Sequence, residues 1–110
     1  DETINEKRRH PRHEVDFIAN MKVGLKIGGR GRTVNISWGG ICIEARSLFT
    51  TIKAQKVKEL LGSLITVTFP FENLVVEGQI AWTDRNKGEI GLSILKTSNA
   101  GQWEKMCKHG

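Results

Sequence analysis

Two arginines lie four residues apart near the start of the chain, in the segment EKRRHPRH at residues 6–13. A guanidinium can fork onto phosphate or carboxylate oxygens with two parallel hydrogen bonds, a geometry that lysine cannot reproduce. Pro11 disfavours a helical conformation at His10, so the segment should be extended or turned, with Arg8 and Arg12 held apart. Basic tails are often merely solvated, so this segment alone does not establish anion binding.

A second group of small and polar residues has the spacing Asn35-x-Ser37-x-x-Gly40. Its amide and hydroxyl can hydrogen-bond a ligand, and its glycine permits close approach or a positive φ. Trp38, inside the pattern, could stack on a planar base or pack on neighbouring strands. These residue types also favour ordinary turns, so the pattern in isolation indicates only a turn.

Other reactive side chains give weaker signals. His10 and His13 have no third ligand nearby, so a metal site is not predicted. Cys42 and Cys107 form no CxxC pattern and are expected to be reduced thiols. No nucleophile, base and orienting group can be identified, so we expect neither an enzyme nor a cofactor.

The composition is that of one globular domain of 110 residues, 38% of them hydrophobic, with a formal net charge of +5. No apolar run is long enough to span a membrane and no signal-peptide pattern is present, so we expect a soluble, cytoplasmic protein. The chain begins at Asp1, which suggests an excised domain. Eight of the 17 basic residues precede residue 33, so this end should attract anions of modest size.

Alternating apolar residues predict six strands, at residues 17–27, 33–36, 41–45, 64–71, 74–83 and 89–95. The segment GGRG at residues 28–31 is expected to turn the first strand into the second. A helical apolar stripe predicts a helix at 53–61 that stops at Gly62, and a closing helix is expected after a cap at Ser98 or Asn99. The side chains expected to face the core include Val34, Phe71, Leu61, Ile94, Trp82, Trp103, Met106 and Cys107.

These elements predict an all-β fold with accessory helices. Short strands, glycine turns and no βαβ rhythm favour a six-stranded antiparallel, Greek-key-like β-barrel. One short helix would lie in the link between strands 3 and 4 and another at the C-terminus. We expect residues 1–14 to form a flexible arm and residues 15–110 the barrel.

Together, Arg8-x-x-x-Arg12 and Asn35-x-Ser37-x-x-Gly40 resemble the PilZ domain family, whose hallmark is RxxxR followed by (D/N)xSxxG. The segments EGQIAW (77–82) and EIGLSI (89–94) are similar to late strands of that family, although Ile94 stands where an aromatic residue is common. The resemblance implies binding of the bacterial second messenger cyclic di-GMP by a barrel whose amino-terminal arm folds over the ligand.

On this resemblance, Arg8 and Arg12 are expected to grip guanine edges or phosphates. Asn35 would accept from guanine N–H groups, and Ser37 would contact a phosphate or base beside Gly40. A basic residue at the position of Lys7 tends in such proteins to accompany a stacked ligand dimer, which predicts two ligands per domain. Arg9 and Trp38 complete the expected site. Trp38 could stack on guanine or pack on the rim of the barrel.

The favoured function is therefore a receptor module whose arm orders on binding and signals to an unidentified protein partner or fused domain. Receptors of this kind serve motility, surface attachment with biofilm formation, exopolysaccharide synthesis and virulence. Two alternatives stay open: a basic barrel that binds single-stranded nucleic acid, and a PilZ-like adaptor without ligand. The first is disfavoured because Trp38 is the one aromatic side chain expected to be exposed.

Overall fold

The computed structural model describes residues 13–14, 16–24, 27–50 and 59–109. Within them the chain forms seven strands and two helices. These are β1 (His13–Glu14), β2 (Ile18–Val23), β3 (Ile27–Ser37), β4 (Gly40–Glu44), α1 (Arg46–Thr50), β5 (Leu64–Phe69), β6 (Leu74–Asp84), β7 (Glu89–Thr97) and α2 (Ala100–His109).

Six of the strands close into an antiparallel barrel, which confirms the predicted fold. Their order around the barrel is β3-β2-β5-β6-β7-β4, and β4 pairs back with β3. The two-residue strand β1 also pairs with β3, beyond the part of β3 that β2 covers. Closure pairs the strands on both sides and leaves few open edges.

The core forms where the alternation of the strands points inward. Its fully buried members include Ala19, Ile36, Ile43, Val67, Phe69, Val76, Ile80 and Ile90. Trp103 of α2 adds its indole to this core, with its ring centroid 6.5 Å from that of Phe69. Trp103, Met106 and Cys107 are all buried, so the predicted apolar face of the closing helix is confirmed.

The closing helix is capped at Asn99. The Asn99 side-chain oxygen accepts a hydrogen bond from the Gln102 backbone N–H at 3.0 Å, the position that a cap residue serves. Of the two predicted caps, Asn99 is therefore the one used. Neither helix described by the structure is long and apolar enough to cross a membrane.

The predicted turn at residues 28–31, with the sequence GGRG, is wrong. The chain turns after β2, where Gly24 has a φ of 65°, and β3 runs straight through these glycines. They are required for close packing instead: a Cβ on Gly29 would lie 2.8 Å from the Ser47 hydroxyl, and one on Gly31 would collide with the Glu44 carbonyl oxygen. The Ser47 hydroxyl also bonds the backbone of Arg30, so α1 packs directly on β3.

Bulges and an early strand end account for three further errors. The β3–β4 register shifts between Thr33 and Asn35, so Thr33 is buried and Val34 is not part of the core. The β6–β7 register shifts before Trp82, which is 38% exposed rather than buried. Strand β5 ends at Phe69, which leaves Phe71 in a turn and 76% exposed. Each bulge inserts one residue and reverses the side-chain alternation beyond it.

The predicted helix at residues 53–61 lies mostly outside the described residues. The structure does place a short helix in this link, α1, immediately after β4. Leu60 is buried as expected, but Leu61 is exposed. Gly62 has a φ of 81°, the left-handed conformation in which glycine commonly ends a helix.

Candidate functional site

Four of the eight predicted site residues lie within the described structure. Asn35 and Ser37 end β3, Trp38 lies in the turn that follows, and Gly40 begins β4. The predicted contacts of the arm residues Lys7, Arg8, Arg9 and Arg12 lie outside the described residues.

The short strand β1 runs beside the Asn35 motif. Its register places His13 opposite Ile36 and Glu14 opposite Asn35 on the antiparallel strand β3. His13 is the residue that follows Arg12 in the sequence. The segment that directly follows the RxxxR pattern is therefore hydrogen-bonded to the strand that carries Asn35.

Three consecutive carbonyl groups hold the turn after Asn35 in place. The Trp38 carbonyl accepts from the Trp103 indole N–H at 3.1 Å. The Gly39 carbonyl accepts from the Ile94 backbone N–H at 3.0 Å, and the Gly40 carbonyl faces the Ser37 hydroxyl at 3.4 Å. The donors come from α2, β7 and β3, so three elements fix the conformation of one turn.

Ser37 and Gly40 are constrained by this packing. Ser37 is 7% exposed, and its hydroxyl donates to the Gly40 carbonyl, which leaves its oxygen lone pairs to accept from another group. A Cβ on Gly40 would lie 2.9 Å from the Leu92 carbonyl oxygen. Since Gly40 does not have a positive φ, its role in the protein is close approach of two strands.

Asn35 belongs to a cross-strand row that we call the Asn35 row. Asn35 pairs with Cys42, Cys42 with Gly91, and Gly91 with Trp82. The row thus crosses β3, β4, β7 and β6 in turn, and three strand spacings separate its ends by roughly 14 Å. It combines a polar amide at one end, an aromatic ring at the other and small side chains between them.

The Trp82 ring lies over Gly91. A Cβ on Gly91 would coincide with atoms of the indole, so the ring extends from β6 across β7 along the Asn35 row. Trp82 is thus a half-exposed aromatic surface on the strand face that carries Asn35. Sequence analysis assigned it to the core; the signal that could have placed it outside is a glycine at the facing position of the neighbouring strand.

Trp38 is exposed, but it lies on the other side of the turn. It lines a groove of about 330 Å³ together with Ile94, Leu95, Ala100 and Trp103. The groove separates the turn from the start of α2. Trp38 therefore extends the site toward the closing helix rather than along the Asn35 row.

Both cysteines are buried thiols. The Cys42 thiol lies 3.6 Å from a carboxylate oxygen of Glu89. Burial, with a smaller contribution from the Glu104 charge, raises the pKa of Cys107 to about 11, so this thiol is protonated at neutral pH. Among the residues that the structure describes, no three His, Cys, Asp or Glu side chains are grouped to hold a metal ion.

Comparison with known proteins identifies the architecture. Residues 6–105 match the PilZ domain family. No curated protein is similar enough in sequence to count as a relative. The PilZ domain of CeSA from a cellulose-synthesizing bacterium superposes with a TM-score of 0.65 at 12% identity, over 89% of this chain and 95% of that one.

Two longer proteins contain the same fold. The Bacillus subtilis inhibitor of motility MotI (DgrA) superposes with a TM-score of 0.60 at 15% identity, and the chain covers 50% of its length. MrkH from K. pneumonia, solved as a complex with c-di-GMP, gives 0.60 at 14% identity and also 50% coverage. Each of these two alignments covers 93% of this chain, which spans about half of either protein.

Proposed function

The chain belongs to the PilZ domain family, and we propose that it binds cyclic di-GMP through Arg8 and Arg12 of its arm and the Asn35 motif. The observation that carries this proposal is the register of β1 on β3. It puts the residue that follows Arg12 opposite Ile36, one residue away from Asn35. The segment that follows the first half of the family motif is therefore paired with the strand that carries the second half, which supports a binding surface shared by both.

The Asn35 row suits a ligand with phosphates and guanine bases. The Asn35 amide oxygen can accept from guanine N–H groups, and the Trp82 indole offers a flat face on which a base can stack. The Trp82 ring covers Gly91, so a base would stack on the exposed face of that indole rather than on the strands. Arg8 and Arg12 would then bind phosphates or the guanine O6/N7 edge from the arm side.

The remaining predicted residues have supporting roles. Lys7 and Arg9 add positive charge beside the two phosphodiesters, which favours a stacked pair of ligands and hence two per domain. Ser37 and Gly40 shape the turn, with the Ser37 oxygen free to accept from a ligand donor. Trp38 would contact a ligand only if that ligand extends beyond the turn toward α2.

Binding would order the arm that precedes β1 and change the surface offered to a protein partner or a fused domain. The domain would act in the cytoplasm as a receptor, with no catalytic step and no cofactor. MotI, named as a motility inhibitor, and the c-di-GMP complex of MrkH are both about twice as long as this chain, which supports signalling to a fused or partner domain. Motility and biofilm formation are the outputs that these relatives and the family suggest.

One observation favours a second function, the binding of single-stranded nucleic acid. Phe71 and Trp82 are exposed as well as Trp38, so exposed aromatic side chains are more numerous than the sequence indicated. They belong to different turns and strands, however, whereas a strand binder aligns its aromatic rings along one groove. An adaptor that binds no nucleotide is the third candidate, and the complete pair of motifs counts against it.

A calorimetric titration of the domain with cyclic di-GMP, GTP and a short single-stranded RNA separates these functions. We expect saturable binding of cyclic di-GMP at two ligands per chain, and none of the other two ligands. Asn35→Ala should weaken that binding while circular dichroism shows an intact barrel. Binding of RNA alone would favour the strand binder, and no binding of either would favour the adaptor. A stoichiometry of one would remove the ligand pair but keep the receptor.

A further inference from the structure

A second cross-strand row runs from β2 to β7. Lys22 pairs with Thr66, Thr66 with Glu77 and Glu77 with Lys96, across β2, β5, β6 and β7. We call it the Lys22 row. It shares β6 and β7 with the Asn35 row but crosses them at Glu77 and Lys96, five residues from Trp82 and Gly91 on each strand. Roughly 15 Å of strand therefore separates the two rows.

Exposed leucines border the Lys22 row. Leu64 is 66% exposed and Leu95 is 58% exposed, and both line a groove of about 530 Å³ that also includes Lys22, Thr66 and Lys96. Solvent-facing positions of an antiparallel sheet are usually polar. Scattered exposed leucines need no explanation, but two that share one groove indicate a contact surface.

The charges on this surface are mostly positive. Glu77 is its one acid among the described residues that line the groove, and it is paired with Lys96 at 3.6 Å. Lys22 is exposed, and Arg30 is diagonal to it on β3. The Arg30 side chain donates to the neutral Asn20 side chain at 3.3 Å, and no carboxylate pairs with it among the described contacts. Diagonal neighbours on a sheet lie about 7–8 Å apart, a distance that two carboxylates of one peptide can span.

We propose that the Lys22 row and its groove are the docking site of a partner protein segment that carries both leucine-like and acidic side chains. The apolar side chains lie against Leu64 and Leu95, and the carboxylates pair with Lys22 and Arg30. A second copy of this chain is disfavoured because it would bring a surface of the same charge. A nucleic acid is disfavoured because no aromatic side chain lines the groove.

The location has a consequence for signalling. Since roughly 15 Å of strand separates the site from the Asn35 row on β6 and β7, partner and nucleotide can be bound at the same time. The proposal does not depend on nucleotide binding, and its test uses no nucleotide.

The test is a titration of the isotope-labelled domain with a synthetic peptide in which leucine and glutamate alternate, followed by NMR. We expect shift changes at the amides of Lys22, Thr66 and Leu95, and an affinity that falls with added salt. Lys22→Glu and Leu95→Ser should each weaken binding tenfold or more. Lys87→Glu, which makes the same charge change in the β6–β7 turn, should bind as the parent does.

Several outcomes would overturn the proposal. These are no shifts with the acidic peptide, equal shifts with a peptide in which lysine replaces glutamate, or equal weakening by Lys87→Glu. Shifts of the same amides with a short single-stranded RNA and not with the peptide would make the surface a phosphate-binding one. A concentration-dependent dimer in sedimentation experiments that Leu95→Ser abolishes would assign the surface to self-association instead.

Discussion

Trp103→Phe should loosen the turn that carries the ligand-binding motif. The substitution keeps an aromatic ring in the core but removes the N–H that donates to the Trp38 carbonyl at 3.1 Å. A partly buried carbonyl left without its donor costs about 1–3 kcal/mol, and the smaller ring leaves space worth about 1 kcal/mol more. We therefore expect the free energy of unfolding to fall by about 2–4 kcal/mol, and the melting temperature by roughly 10 °C or more.

The effect on cyclic di-GMP affinity should be smaller but measurable. The Gly39 and Gly40 carbonyls keep their donors, so the turn loses one of three restraints. Re-ordering about one residue on binding costs about 1 kcal/mol, which corresponds to a roughly fivefold weaker affinity. Calorimetry at a temperature where both proteins are folded would measure it.

Met106→Ala provides the matched control for this experiment. Met106 is buried on the same face of α2, and truncating it costs about 2–5 kcal/mol. No hydrogen bond links its side chain to the turn among the described contacts. Met106→Ala should lower the melting temperature about as much as Trp103→Phe does and leave the affinity for cyclic di-GMP unchanged. Equal affinity losses in both variants, or an unchanged affinity in Trp103→Phe, would refute the idea that Trp103 positions the turn.

Three further predictions concern Trp82, Gly91 and Cys107. Trp82→Leu should weaken cyclic di-GMP binding by about tenfold, because base stacking contributes about 1–3 kcal/mol, while thermal melts change little; calorimetry showing parental affinity would exclude stacking on this ring. Gly91→Ala should displace the Trp82 ring, change tryptophan fluorescence and destabilise the fold by about 1–3 kcal/mol, and an unchanged spectrum would count against the described contact. Because the pKa of Cys107 is raised to about 11 from 9.0, its thiol in the native state should react with iodoacetamide only as the pH approaches 11. Its contribution to stability should decline from about pH 9 upward, where the thiol of the unfolded chain ionises first. Rapid labelling of Cys107 at about pH 8, seen by mass spectrometry, would contradict this prediction.

The barrel could be predicted from the sequence because one face of each strand is buried. The inward residues of β2, β4 and β5 recur at every second position, and the structure confirms them. The family motif likewise depends on residue types at fixed spacing. Where period-two alternation is unbroken, sequence and structure agree.

The errors arise where two physical causes favour the same residue type. Glycine suits a turn and also a close approach. At Gly29 the close approach of α1 decided, and at Gly31 the close approach of the end of β4. A tryptophan suits the core and also an exposed surface over a facing glycine, and Trp82 takes the second position. No residue preference in the local sequence indicates the β6–β7 bulge that exposes Trp82.

The most direct measurement of the central claim compares cyclic di-GMP affinity of the parent, Arg12→Ala and Arg30→Ala. Arg30→Ala removes one positive charge, as Arg12→Ala does, but from a position on β3 about 16 Å along the strand from Asn35. Because Arg12→Ala loses a charge-assisted contact worth about 1.5–3 kcal/mol, its affinity for cyclic di-GMP should fall tenfold or more. The affinity of Arg30→Ala should equal that of the parent. If Arg12→Ala bound as tightly as the parent, or both variants weakened equally, the arm would not be a specific part of the site.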